Sequence, residues 1–272
     1  MRNLILVVIL SVLFVACEKS FDWNFDDESL NTIVVDGIIT NIRKAHVVRI
    51  TKPVVSLNEK PEPVSGAIVS IYDGDFVDTL TESLKIPGYY LTDTNYRAVL
   101  NKTYHLRVEY EGKRYDASAR MIPVTPFEKL SYAYDESKGM FYIDSVAENF
   151  NSKESAIYEI VIDWTHLSEY QNLPVYDRVA VVYYYTLRTI DISEVFAPEK
   201  ERVYFPKGAK ILERKYSLAP QHAEFVRSLL AETEWRGGYF DIAQSNVRTN
   251  ISNGGLGFFG VCTVIRDTLT VN

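Results

Sequence analysis

The chain has 272 residues and a formal net charge of −7, and it is 47% hydrophobic and 13% aromatic. That is enough apolar material for one large domain or two small ones. The acidic balance argues against nucleic acid, whose binding needs basic surface for phosphates. With 2 cysteines, it is not a scaffold built on disulfides.

The chain opens with a basic residue, Arg2. An apolar run follows from Leu4 to Ala16, too short to span a bilayer as a retained helix. The run ends in Leu13-Phe14-Val15-Ala16-Cys17, a small residue before a cysteine whose thiol can accept a diacylglycerol. This predicts a lipoprotein signal peptide over 1–16 and a mature chain tethered to the membrane through lipid on Cys17. Phe14 departs from the pattern, because an aliphatic residue usually sits three before the cysteine and here Leu13 sits four before. An ordinary secretion signal with a stray cysteine is the alternative. No later segment is apolar enough to cross a membrane, so the mature chain is expected outside the cytoplasm. Cleavage removes Arg2, which makes the chain one charge more acidic, and lipidation leaves Cys262 unpaired. Residues 17–30 hold Asp22, Asp26, Asp27 and Glu28 and read as an acidic tether, or as a plain flexible linker.

From Thr32 to Met121 the pattern is strand. Tyr104, Leu106, Val108 and Tyr110 alternate with His105, Arg107 and Glu109. Glu111-Gly112 supplies a turn, and Tyr115, Ala117, Ala119 and Met121 resume the period of two, so 103–121 is a predicted hairpin. Ile33–Ile39, Val47–Ile50, Ala67–Tyr72 and Tyr89–Leu91 are further β-branched or aromatic runs, separated by Pro, Gly, Asn and Asp clusters. Such short, closely spaced strands predict a β-sandwich over 31–124. Pro123 and Pro126 break the pattern and mark an expected domain boundary. The second domain, 125–272, is also mostly strand, with runs at Ala156–Trp164 and Val179–Thr189 and a closing strand over Phe258–Val264. One amphipathic helix interrupts it at about 218–236. Ser217 is its expected N-cap, Pro220 lies in the first turn, Phe225, Val226, Leu229 and Leu230 share a face, and Gly237-Gly238 follow it.

Gly66-Ala67-Ile68-Val69-Ser70-Ile71, Pro87-Gly88-Tyr89-Tyr90 and Asn101 to Val108 resemble carboxypeptidase-regulatory-like and immunoglobulin-like sandwiches. The string Asn246-Val247-Arg248-Thr249-Asn250-Ile251-Ser252-Asn253-Gly254-Gly255-Leu256-Gly257-Phe258-Phe259-Gly260 is similar to the closing motif of the domain-of-unknown-function 4249 lipoproteins of Bacteroidota. The likeness extends over nearly all of the chain after the tether. It implies a mainly β fold: an N-terminal Ig-like β-sandwich followed by a larger β-sheet domain with one amphipathic helix. Members tend to be encoded beside TonB-dependent outer-membrane transporters. The resemblance therefore implies a non-catalytic accessory or ligand-binding subunit of a nutrient transporter, anchored to the outer membrane and facing the cell surface, since acidic residues after the anchor cysteine tend to direct such lipoproteins there. An oligosaccharide or a peptide is a conceivable ligand. A structural or adhesive surface protein is the alternative, and a cryptic hydrolase a weaker one.

Gly255-Leu256-Gly257-Phe258-Phe259-Gly260 spells G-x-G-x-x-G, but a strand follows where dinucleotide binding needs a helix. The glycines are expected to make a tight loop before the final strand. His46, His105, His166 and His222 stand alone in sequence, and no cofactor or metal is expected. Cys262 lies in an apolar alternating run and reads as a small hydrophobe. Asp163 and Glu169, near Trp164 and His166, are the one arrangement imaginable as an acid/base pair. The aromatic residues are the better lead. Tyr184, within Tyr183-Tyr184-Tyr185, and Trp235, Tyr239 and Phe240 around the Gly237-Gly238 turn are candidate ligand or partner contacts, with core packing the alternative for each. Asp78-Thr79-Leu80, Asp144-Ser145-Val146 and Asp267-Thr268-Leu269 fit the acceptor pattern of Bacteroidota O-glycosylation, at Thr79, Ser145 and Thr268. The sequons at Asn101 and Asn250 are read as accidental.

Overall fold

A computed structural model describes residues 31–54, 56, 58–198, 201–237 and 246–272. The expectations for Cys17, Tyr239 and Phe240 therefore lie outside the described residues. The described residues are 41% strand and 10% helical, mainly β as expected.

The strands, numbered in chain order, form four sheets. The first runs β15 (Leu256–Cys262), β1 (Val34–Thr40), β2 (Val47–Thr51), β6 (Tyr89–Leu91), β5 (Thr81–Glu82), and the second β4 (Val77–Thr79), β3 (Ile68–Tyr72), β7 (Thr103–Tyr110), β8 (Lys113–Arg120). One apolar core joins these two sheets into a sandwich, with Val35, Ile39, Val48 and Ile50 from the first and Val69, Ile71, Leu106 and Val108 from the second. The hairpin of β7 and β8 pairs Tyr110 with Lys113 around Glu111-Gly112, with Tyr104, Leu106 and Val108 inward. The alternation at 103–121 reads correctly because one face meets a core and the other water.

The third sheet runs β13 (Tyr204–Phe205), β10 (Met140–Ser145), β9 (Ser131–Asp135), and the fourth β12 (Val179–Thr186), β11 (Ala156–Asp163), β14 (Lys210–Ser217), β16 (Val264–Thr270). A second core, with Tyr158, Ile160, Ile162, Phe205 and Ile211 at its centre, lies between them. A short helix, α1 (Ile192–Val195), precedes the main one, α2 (Pro220–Glu232). The N-cap of α2 is Ala219, not the expected Ser217, and the helix stops at Glu232 rather than near 236. Ser217 is still in β14, and its hydroxyl is used elsewhere: it donates to the Ile122 carbonyl (3.0 Å) and accepts from the Thr263 amide (2.9 Å).

Thr32–Asn272 clusters as one compact unit, and the chain does not respect a division at 124/125. The sandwich expected from 31–124 takes its edge strand, β15, from the far end of the sequence, paired parallel to β1. The glycine-rich string explains this return. Asn250 acts as a surrogate strand, accepting from the Phe259 amide (3.0 Å) and donating to the Phe259 carbonyl (2.8 Å). Ile251 is 6% exposed in the sandwich core, and the Ser252 amide donates to the Asp116 carbonyl (2.8 Å). The glycines were expected in a loop, yet Gly257 and Gly260 lie within β15. At Gly257 φ is +83°, and a Cβ there would sit 2.0 Å from the Val35 carbonyl oxygen, so only glycine lets β15 approach β1. A Cβ on Gly260 would meet the His222 ring at 2.8 Å. No helix follows, which removes the dinucleotide reading.

Candidate functional site

Several parts of the fold converge beside the sandwich: the end of β8, the linker 122–125, residues 152–155 before β11, residues 187–189 after β12, the first turns of α2, residues 248–250 and Phe258 of β15. They line a cleft of about 1200 Å³, larger than most small-molecule pockets. Its apolar wall includes Ile122, Val124, Leu187, Leu218 and Phe258, and its polar wall Thr125, Ser155, Gln221, Thr249 and Asn250. Lys153, Arg188 and Arg248 lie at its exposed rim.

A buried charge cluster secures one wall. Lys215, inward-facing on β14 and 2% exposed, donates through Nζ to the Thr125 hydroxyl (2.8 Å), the Pro126 carbonyl (3.3 Å) and Glu154 Oε2 (3.0 Å). Its Nζ also lies 5.3 Å from the centre of the Tyr158 ring. The Thr125 hydroxyl donates to the same carboxylate oxygen, and the Thr125 amide donates to Glu154 Oε1 (2.9 Å). Burial, the largest single influence, pushes the Glu154 carboxyl up. The Thr125 and Lys215 donors outweigh it together and hold the group below the usual carboxylate range. In this geometry the Thr125 oxygen accepts from the Lys215 ammonium while its proton is engaged by the Glu154 carboxylate. The cluster pins the linker to the second core.

Two polar atoms at the cleft wall are buried without partners, the hydroxyl of Ser155 and Nε of Arg227. Ser155 is 3% exposed. Buried polar groups are nearly always hydrogen-bonded, so these two atoms stand out among the lining residues.

The residues singled out from sequence are scattered. His46 is buried in the sandwich with Nε2 3.1 Å from the Ile42 carbonyl, and His105 stacks on Tyr72. His166 lies 3.1 Å from the Gly208 carbonyl. His222 stacks on Phe258 with centroids 4.8 Å apart, and its Nδ1 lies 3.6 Å from Cys262 Sγ. Burial pulls His222 down to about 4 and pushes the Cys262 thiol up to about 12. The pair is therefore a neutral thiol beside a neutral imidazole, the opposite of an activated cysteine. Among the described residues no three His, Cys, Asp or Glu side chains could share a metal ion. Asp163 accepts from the hydroxyl (2.7 Å) and amide (2.8 Å) of Thr165, and these bonds hold it below the usual carboxylate range. Trp164 is 7% exposed in the second core, and Glu169 lies in an exposed 3-10 turn.

Two aromatic leads pack against apolar cores. Trp235 is 5% exposed, packed with Leu187, Leu218, Val226 and Leu230, because an indole beside a helix end has apolar surface to cover. Tyr184 points into the second core, half-buried, while its neighbour Tyr183 on the opposite face is 44% exposed. Neither Tyr184 nor Trp235 lines the cleft. Thr79, Ser145 and Thr268 are all exposed. The cleft cations went unseen in the sequence because no local pattern links residues 153, 188 and 248.

The site is thus a large, partly apolar cleft at a junction of β-sheets, closed on one side by a helix and lacking an assembled nucleophile among the described residues. Residues 18–268 match the family described as "Domain of unknown function (DUF4249)", and the chain belongs to that family. No curated protein matches it.

Proposed function

We propose that this protein is a lipid-anchored, non-catalytic binding subunit that serves a TonB-dependent nutrient transporter at the outer surface of the outer membrane. Lipid on Cys17 is the anchor, and the junction cleft is the binding site. The observation that carries this reading is the cleft itself, about 1200 Å³ with a mixed lining and an unpartnered buried hydroxyl at Ser155. Its polar and cationic groups can hold a ligand. The sequence at Leu13 to Cys17 supports the anchor. The exposure of Thr79, Ser145 and Thr268 suits their role as O-glycosylation acceptors, and an intact mass equal to that of the lipidated polypeptide alone rejects it.

The test is purification. A C-terminally tagged chain is solubilised gently from the outer membrane, and stoichiometric partners are identified by mass spectrometry. One TonB-dependent transporter is the expected companion. Recovery of the chain alone rejects the transporter role. An adhesive role has one observation in its favour, the exposed Val181 and Tyr183 on the outer face of the fourth sheet. In that case Tyr183→Ser abolishes attachment without touching the cleft.

A further inference from the structure

The cleft's charge and lining narrow what it takes. Its carboxylates are already matched, Glu154 by Lys215 at 3.0 Å and Glu224 by Arg227 at 3.9 Å, while Arg227 also meets Asp191 at 2.7 Å. Lys153, Arg188 and Arg248 have no carboxylate partner among the described residues. A chain of net charge −7 therefore carries positive charge without a carboxylate partner around this cleft, and low-dielectric walls focus such a field.

The N-terminus of α2 adds to it. Ala219 gives no side-chain cap, and among the described residues the amides of Gln221 and His222 have no acceptor. Gln221 lines the cleft. Open amides at a helix start favour anions. Ser155, 3% exposed and with its hydroxyl unpartnered, is among the residues lining the same cleft.

The lining also separates a sugar from a peptide. Sugar sites use open aromatic faces, but the one aromatic ring among the described lining residues, Phe258, is stacked by His222 at 4.8 Å and by Phe225 at 4.7 Å. The remaining apolar wall is aliphatic, with Ile122, Val124, Leu187 and Leu218, and suits aliphatic side chains. We propose that the cleft binds a short acidic peptide, its carboxylates at Lys153, Arg188, Arg248 and the start of α2, and its aliphatic side chains against the linker wall. This rests on the reading of the cleft as the binding site.

The test is fluorescence anisotropy on the full chain in mild detergent, with a labelled octapeptide of alternating Glu and Val. The same peptide with Gln or Lys in place of Glu, and a trigalacturonate, serve as comparisons. The Glu-Val peptide should bind, about tenfold more weakly in the combined K153Q, R188Q and R248Q variant and at high salt, and the Lys-Val peptide should not bind. Equal binding of the Gln-Val peptide, or no loss in the triple variant, overturns the anionic preference while leaving the cleft as a peptide site. Trigalacturonate binding in place of the peptide overturns the ligand class, and no binding of any probe overturns the inference. Ala223→Trp, which fills the cleft, separates the two levels. Peptide binding that survives it lies elsewhere, and then the cleft reading fails as well.

Discussion

The sandwich and the junction beside it use the same kinds of strand and are finished in opposite ways. Inside the sandwich Val35, Val69 and Val108 are wholly buried among apolar neighbours. At the junction the chain keeps a buried ammonium–carboxylate pair, an unpartnered serine hydroxyl and a large open space. Apolar packing specifies the first region. In the second, charge and hydrogen bonds fix the walls and leave the interior empty. The open region is the one with room for a ligand, and the proposed function rests on it.

The largest expected effect lies where the two regions are stitched together. Gly257→Val places side-chain atoms on the Val35 carbonyl at a φ of +83°. It should separate β15 from β1 and cost about 4 kcal/mol or more, read from urea unfolding. A variant with near-native stability breaks the claim that close approach dictates this glycine.

Next is the junction's charge pair. Lys215→Met strands Glu154 and should cost about 3–5 kcal/mol, whereas Lys215→Met combined with Glu154→Gln should recover much of the loss. Equal loss in the single and double variants means that Lys215 acts by volume alone.

Acid should weaken both regions. His46 in the sandwich and His222 beside the junction have pKa values of about 4 in the fold, lowered first by burial. The unfolded chain takes up these protons near the ordinary 6.5, so stability falls as pH drops from about 6.5 toward 4. Glu154, held low, adds a loss at still lower pH. Glu213 runs the other way. It lies two residues before Lys215 on the same face of β14, 4% exposed, with Oε1 unpartnered. Burial, then the charge of Asp267, raises it to about 7. Its penalty grows as pH rises from the ordinary carboxylate range through 7. Glu213→Gln should therefore stabilise by about 1–2 kcal/mol at pH 8 and change little at pH 4. Thermal melts across pH check both slopes. The smallest effect on folding should come from the rim, where Arg248→Gln stays within about 0.5 kcal/mol.

The sequence made the hairpin 103–121 readable, because its alternation and its Glu111-Gly112 turn are local. The body of α2 was readable from Val226 and Leu230, but its start was not, because the Ser217 hydroxyl serves Ile122 and Thr263 across the junction. The parallel pairing of β15 with β1 leaves no local trace. The Thr32 hydroxyl meets the Gly254 carbonyl across 222 positions, and only glycines hinted that backbones approach there. For Trp235 the sequence leaves contact and core packing open, since it shows a bulky ring beside a turn but not the Leu187 and Leu218 that cover it. The cleft was the least readable part. Lys153, Arg188 and Arg248 come from three separate segments, and the fold alone turns them into one field.

Site-specific photocrosslinking on the cell tests the central claim most directly, with a photoreactive residue at Thr189 on the cleft or at Leu84, fully exposed on the β5–β6 turn and not part of the cleft lining. The account predicts a discrete adduct, with captured peptide or with the transporter, from Thr189 and none from Leu84. Adducts from Leu84 alone, or equally from both positions, would contradict it.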